Sequence, residues 1–185
     1  MRLREIKNSE YLSEIKNLYV EAFPASERKP FDMITKKRDE GFCEILAIEN
    51  DIGLFCGLAI TVKYKDMVLL DYFAVLPEVR GGGIGSAVLG MLKERYADKC
   101  FFLEIETVFE DAPNIEQRIR RKDFYLRNAM KPMDFIVDLI GVHMEILTSG
   151  CDISYDDYYS LYDGVFGNVI SQKIHFLRSI ENQGQ

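Results

Sequence analysis

The sequence predicts an α/β domain built on a mixed, mostly antiparallel sheet flanked by helices. Three observations predict it. First, β-like runs at 42–49 and 52–64, and again at 133–137 and 142–147, are separated by short turn segments and read as two hairpins. Second, the apolar run Met67 to Leu76 leads through glycines into a helical stripe of Ile84, Val88, Met91 and Leu92, then into Cys100 to Val108. That strand-helix-strand order is a crossover. Third, Leu12, Ile15, Tyr19 and Ala22 recur at helical spacing near the start.

Each element has its own signal. Met1 to Lys7 alternates weakly through Leu3 and Ile6 and reads as a short strand. Ser9 is placed to cap the first helix, and Pro24 stops it. The loop Pro24 to Pro30 leads to a second helical stretch ending near Gly41. Asn50-Asp51 joins the first hairpin, and Asp138 to Gly141 turns the second. Between them, Asn114 to Asn128 is a charged helix. Ser154 opens a last helix with Tyr158, Leu161, Tyr162 and Val165 on one side. The order is β-α-α-β-β-β-α-β-α-β-β-α.

Composition narrows the function. The chain has 185 residues, one ordinary domain, and 48% of them are hydrophobic, enough for a core and too many for a disordered chain. No apolar run reaches the ~18 residues of a membrane span. No apolar stretch follows the basic residues of the N-terminus. The expectation is a soluble cytoplasmic protein with no membrane partner. A net charge of −7 argues against nucleic acid as a partner. Cys43, Cys56, Cys100 and Cys151 form no C-x-x-C pair, and His143 and His175 are the only histidines, so no metal is expected. Cys43, Cys56 and Cys100 lie in apolar runs and read as reduced core thiols.

The sharpest signal is Arg80-Gly81-Gly82-Gly83-Ile84-Gly85-Ser86, between a strand and an amphipathic helix. Glycines let the backbone take positive φ and approach a ligand closely. A helix N-terminus then offers unpaired N–H groups and the positive end of its dipole, a phosphate site. A dinucleotide fold would need G-x-G-x-x-G directly after the strand, whereas Ser86 stands at the last glycine position. A Walker-type loop would need Gly-Lys-Ser/Thr, which is absent.

R-x-x-G-x-G, as Arg80, Gly83 and Gly85 after Leu69 to Val75, resembles the acyl-CoA-binding motif of the GNAT superfamily of N-acetyltransferases. The element order resembles that fold over residues 1–148, with 149–185 as a C-terminal helical extension packed on the same domain. The resemblance implies acetyl-CoA as cosubstrate. It implies that the backbone of Arg80 through Ser86 (Gly81, Gly82, Gly83, Ile84 and Gly85 between them) holds the pyrophosphate. It also implies that Phe73, Ala74 and Val75 pair with the pantetheine arm as an added strand would. Sheets of this family splay between the fourth and fifth strands, here Val68–Leu76 and Cys100–Val108.

Catalytic candidates follow. Alternation in Phe101 to Glu106 puts Glu104 and Glu106 on the face of Phe102. A central strand is normally apolar, so two carboxylates there need an opening, a partner or a function. Either they sit at a solvated strand end, or Glu104 is a base, directly or through water, for an incoming ammonium. Tyr125, in Phe124-Tyr125-Leu126-Arg127-Asn128, resembles the family's second motif, where the tyrosine protonates the departing thiolate. A phenol with a pKa of about 10 has that proton to give at neutral pH.

Two positions depart from the family pattern. Arg118 stands where an Asn is frequent, seven residues before the tyrosine, and Ala129-Met130 replaces a closing Gly-Phe. A left-handed cap at Ala costs ~1–2 kcal/mol, so the cap is expected at Asn128. Arg118, Arg121 and Tyr125 share a helix face, either as ordinary surface charge or as a positive strip beside CoA.

On the acceptor side, similar family members carry a Phe-Pro-x-x-Glu-Arg stretch like Phe23 to Arg28, and Glu27 is the candidate substrate contact. Tyr155, Tyr158, Tyr159 and Tyr162 share a helix face and read as packing. The function expected is transfer of acetyl from acetyl-CoA to the primary amine of a small molecule or peptide by direct attack, in a monomer or homodimer. The alternative is a non-catalytic acyl-CoA-binding regulatory module.

Overall fold

The structure is a computed structural model that describes residues 1–8, 11–25, 27–109 and 112–179. The chain divides into two compact units. Unit 1 comprises Met1–Lys63 and Leu70–Ala97, and unit 2 comprises Tyr64–Leu69 and Asp98–Gln185.

Unit 1 contains β1 (Arg2–Glu5), α1 (Leu12–Ala22), α2 (Phe31–Asp39), β2 (Cys43–Glu49), most of β3 (Phe55–Tyr64), the end of β4 (Met67–Val75), a 3-10 turn at Pro77–Val79 and α3 (Ile84–Arg95). Its strands run in the order β1-β2-β3-β4. Pairing is antiparallel from β1 to β2, with Leu3 opposite Ile48, and from β2 to β3, with Ile45 opposite Ile60. All seven residues of β2 are buried, because helices cover it and strands flank it. Ile15, Leu18 and Tyr19 of α1, with Phe31 and Ile34 of α2, pack on Ile45, Leu58, Ile60 and Tyr72. Each such side chain contributes about 1.5–3 kcal/mol when fully buried.

The first hairpin differs from the sequence expectation. β3 begins at Phe55 rather than Ile52, and Asn50 to Leu54 form a loop. Asn50 explains it: its side-chain carbonyl accepts from the Ile52 and Leu54 amides at 3.1 and 2.9 Å, while Gly53 turns at φ 81°. Ser9, read as a cap, lies outside the described residues. α1 opens at Leu12 after Tyr11, whose hydroxyl donates to the Gly53 carbonyl at 3.0 Å.

Unit 2 contains the start of β4, then β5 (Cys100–Glu106), α4 (Ile115–Arg127), β6 (Lys131–Leu139), β7 (Val142–Thr148), α5 (Tyr155–Phe166), α6 (Asn168–Ser171) and β8 (Ile174–Ser179). Its strand order is β4-β5-β7-β6-β8. The β5–β7, β6–β7 and β6–β8 pairings are all antiparallel. β8 is an element the sequence reading did not contain. Its apolar content is ordinary, and its strand state comes from pairing with β6, Val137 opposite Phe176. Ser154 does cap α5: its hydroxyl accepts the Asp157 amide at 3.1 Å and the Asp157 carboxylate accepts the Ser154 amide. Gly164, inside α5, makes room for Tyr64, since a Cβ there would lie 2.2 Å from its ring.

Two expectations are overturned. Cys100 is not a reduced core thiol: it forms a disulfide with Cys151, across a Cα–Cα distance of 5.5 Å. The sheet brings them together. Thr148 pairs with Phe102, so the chain leaving β7 passes the start of β5, where the Ser149 amide donates to the Phe101 carbonyl at 2.9 Å. Cys43 and Cys56 are free and buried, as expected. The left-handed residue that closes α4 is also Ala129, φ 59°, not Asn128, φ −93°. With Ala129 left-handed, the Met130 amide donates to the Tyr125 carbonyl at 3.0 Å and the Ala129 amide to that of Leu126, so the last carbonyls of α4 are satisfied and Met130 is buried. The Asn128 side chain instead donates to the Phe124 carbonyl at 2.8 Å.

Candidate functional site

The glycine turn lies in unit 1. Gly81 and Gly83 hold φ of 91° and 77°, and Gly83 is the residue from which α3 starts. A Cβ at either would meet nothing within 4 Å, so these glycines serve backbone conformation rather than clearance. No side chain caps α3. The Ala87 amide is the first to bond inside the helix, to the Gly83 carbonyl at 3.0 Å. The N–H groups of Ile84, Gly85 and Ser86 are thus the free donors of a 12-residue helix. The exposed turn from Gly81 to Gly83 stands in front of them. Open N–H donors at the positive end of a helix dipole are groups that can hold an anion. Arg80 folds back, its Nε donating to the Val75 carbonyl at 2.9 Å, and so ties the turn to β4.

β4 changes character along its length. Met67 to Leu70 are buried, and then partly exposed Asp71, Phe73 and Val75 alternate with buried Tyr72 and Ala74. Gly57 of β3 sets the position of this half. A Cβ there would lie 2.4 Å from the Ala74 carbonyl oxygen and 3.0 Å from Val75 Cα. The Ala74 carbonyl therefore points toward β3, while that of Val75 is held by Arg80.

The Pro24–Pro30 loop is anchored to the same strand. The Tyr72 hydroxyl accepts the Lys29 amide at 2.9 Å and donates to the Glu27 carbonyl at 3.0 Å. The Tyr19 hydroxyl donates to the Lys29 carbonyl at 2.8 Å, and burial pushes its pKa well up. Tyr19, Phe23 and Tyr72 pack with centroids 4.7–5.7 Å apart. Glu27 itself has an exposed position. Ser26 lies outside the described residues.

In unit 2 the two carboxylates of β5 part ways. Glu106 is buried and binds two arginines of α4, Arg118 at 2.7 Å and Arg121 at 3.1 Å. Arg118 also donates to Asn114 and to the Thr107 carbonyl. Both arginines are therefore engaged by this unit's own strand end. Glu104 is only partly buried and accepts from the Tyr162 hydroxyl of α5 at 2.7 Å. This partner was missed in the sequence, where Tyr162 read as one of four packing tyrosines; periodicity reports a face and not what a hydroxyl reaches. Tyr125 is buried on α4 against Phe124, centroids 5.1 Å apart. Burial pushes its phenol up to about 12, with Arg121 opposing, so it keeps its proton at neutral pH.

Among the described residues no helix is long and apolar enough to cross a membrane, and no group of three His, Cys, Asp or Glu side chains is placed to hold a metal.

These features are a glycine-rich turn that opens a helix and a strand that is half exposed. The chain matches the Acetyltransferase (GNAT) family over residues 11–116, more than half its length, and it belongs to that family. It is 33% identical over 69 residues to YjbC of Bacillus subtilis (strain 168), a protein named as a candidate acetyltransferase. That match spans 37% of this chain and 33% of YjbC, so the chain spans about a third of the length of this relative. A solved GNAT-family structure from Bacteroides thetaiotaomicron superposes with a TM-score of 0.76 at 23% identity, covering 91% of this chain and 99% of the other. A spermidine N-acetyltransferase chimera of Vibrio cholerae SpeG and hSSAT gives 0.63 at 12% identity, covering 80% and 95%. An aminoglycoside 6'-N-acetyltransferase complexed with coenzyme A gives 0.62 at 12%, covering 83% and 100%. At these identities the structures share the fold.

Proposed function

We propose that this protein is an N-acetyltransferase that moves acetyl from acetyl-CoA to a primary amine by direct attack. The observation that carries the reading is the turn from Arg80 to Ser86, with left-handed Gly81 and Gly83 presenting the open N–H groups of α3. Those amides hold the pyrophosphate. The backbone of Phe73, Ala74 and Val75 takes the pantetheine arm by strand-type hydrogen bonds. Acetyl-CoA supplies a thioester carbon open to attack.

Glu104 accepts a proton from the acceptor ammonium, directly or through water, because an amine of pKa ~10 is mostly protonated at neutral pH. The C–N bond forms, the C–S bond breaks and Tyr125 protonates the departing thiolate. Neither free cysteine suits an acyl-enzyme route: Cys43 and Cys56 are buried, and burial pushes the Cys43 thiol up to about 12. Glu27, carried on the anchored Pro24–Pro30 loop, contacts the acceptor. Spermidine and aminoglycosides are the amines named for two structural neighbours, and they head the acceptor screen.

We assign the transferase to residues 1–148 and treat 149–185 as an extension of the same domain, a reading that the pairing of β8 with β6 supports. The protein is placed in the cytoplasm on its sequence. The Cys100–Cys151 disulfide stands against that placement, since reducing compartments disfavour such bonds.

The test is calorimetric titration with acetyl-CoA, with NAD as control, followed by thiol-release assays over an amine panel. Saturable acetyl-CoA binding and turnover with one amine class are expected. Tyr125→Phe should bind acetyl-CoA normally and turn over roughly 100-fold more slowly. Absence of acetyl-CoA binding overturns the reading of the turn. Binding with no turnover on any amine overturns the transferase and leaves a CoA-binding module.

A further inference from the structure

Glu104 interrupts the apolar strand β5, yet its environment is specific rather than merely tolerant. Along its own strand stand Phe102 and Glu106, and Glu106 is already neutralised by Arg118 and Arg121. Opposite it on β7 is Ile146, which carries no charge. Glu145 lies opposite Ile105, hence on the other face of the sheet, and is paired with Lys122. From α5 come Tyr158 and Tyr162, both fully buried. Tyr162 is the one whose hydroxyl reaches Glu104, at 2.7 Å.

We infer that Tyr162 is a positioning residue for the transfer reaction: its hydroxyl donates to Glu104 and keeps that carboxylate ionised and aimed. The inference rests on the reading of Glu104 as the base.

Three features make Tyr162 a fixed donor. Its ring is held between Tyr158 and Phe166, with centroids at 5.2 and 5.7 Å. The disulfide ties Cys100, four residues before Glu104, to Cys151, three residues before the cap of α5. The Tyr64 ring fills the space left by Gly164, two residues after Tyr162, so α5 has no room to slide. A hydrogen bond donated to the charged form of an acid stabilises that form. Glu104 itself is only partly buried. A packing tyrosine would need only its ring; the hydroxyl adds control over protonation.

The experiment is a pH titration of side-chain carboxyl carbons by NMR in protein labelled with carbon-13 glutamate, with the Glu104 signal assigned by its loss in Glu104→Gln. Tyr162→Phe keeps the ring and removes the donor. It is expected to raise the Glu104 pKa by about one unit and to move the acidic limb of the kcat/KM profile by the same amount, with near-UV circular dichroism unchanged. If the variant does not fold, wild-type chain carrying 3-fluorotyrosine replaces it: the stronger donor should lower the Glu104 pKa. A Glu104 titration unmoved by either change overturns the inference. Full activity in Glu104→Gln overturns the base reading instead, and the two failures are told apart because the first is read on the carboxyl signal and the second on turnover.

Discussion

Lys29 and Asp71 form an ion pair inside unit 1, Nζ to Oδ1 at 2.7 Å, with only 17% and 6% of the two side chains exposed. The ammonium also sits 5.4 Å from the centre of the Tyr72 ring. Together with the two hydrogen bonds of the Tyr72 hydroxyl, this pair fastens the Pro24–Pro30 loop to β4. A carboxylate in an apolar strand is thus explained by a lysine 42 residues earlier in the chain.

Removing one partner leaves the other charge buried. Lys29→Met should destabilise by about 3 kcal/mol, whereas Lys29→Met with Asp71→Leu should recover much of that loss. Urea denaturation of the four members of the cycle measures the coupling. Equal and additive losses would mean the pair is not coupled.

Ala129 is strained by its left-handed conformation. Ala129→Gly should stabilise by about 1 kcal/mol, the strain relieved less the greater freedom of glycine in the unfolded chain. A higher urea midpoint with an unchanged slope is the expected result. Asn128→Gly should bring no such gain, because Asn128 is not at positive φ and its side chain holds the Phe124 carbonyl.

Acid should act on unit 1 through Glu44. Burial alone would push its carboxyl up, but hydrogen bonds from Lys63, Tyr96 and Arg95, with the Arg95 charge, outweigh it and hold it below the ordinary value of 4.5. A carboxyl depressed on folding stabilises the folded state above its unfolded pKa, and that contribution is lost as pH falls through the lower folded value. Stability measured from pH 7 downward should therefore fall below about pH 4.5. Glu44→Gln, already less stable at neutral pH, should fall less steeply in that window. Parallel profiles would exclude Glu44 as a source of the acid sensitivity.

The disulfide closes a loop of 51 residues. Chain-entropy arithmetic for that length gives about 4 kcal/mol of stabilisation. Reduction, or Cys100→Ser with Cys151→Ser, should lower stability by up to that amount in urea. Cys43 and Cys56 should resist alkylation until the protein unfolds, as buried thiols do.

Much of the fold was legible. The periodicities of α3 and α4 and the apolar runs of β2, β4 and β5 marked those elements within a few residues. So did the Ser154 capping signal of α5 and the glycines that open α3. These signals are local: a turn needs positive φ, a cap needs an oxygen, and an amphipathic face needs its spacing. The family resemblance rested on the same residues.

The partners were not legible. Glu104 and Glu106 are two residues apart in one strand, yet one meets a tyrosine of α5 and the other two arginines of α4. Cys100 reads as a core thiol until antiparallel pairing of β7 carries Cys151 to it. Ala129 turns left-handed where the chain leads into buried Met130, and Ile174–Ser179 becomes a strand because β6 has an edge for it. Backbone preference is settled within a few residues of chain, so one sequence carries it. Which charge is neutralised, which hydroxyl finds a carboxylate and which thiols bond depend on residues 12 to 58 positions apart, and only packing brings those together.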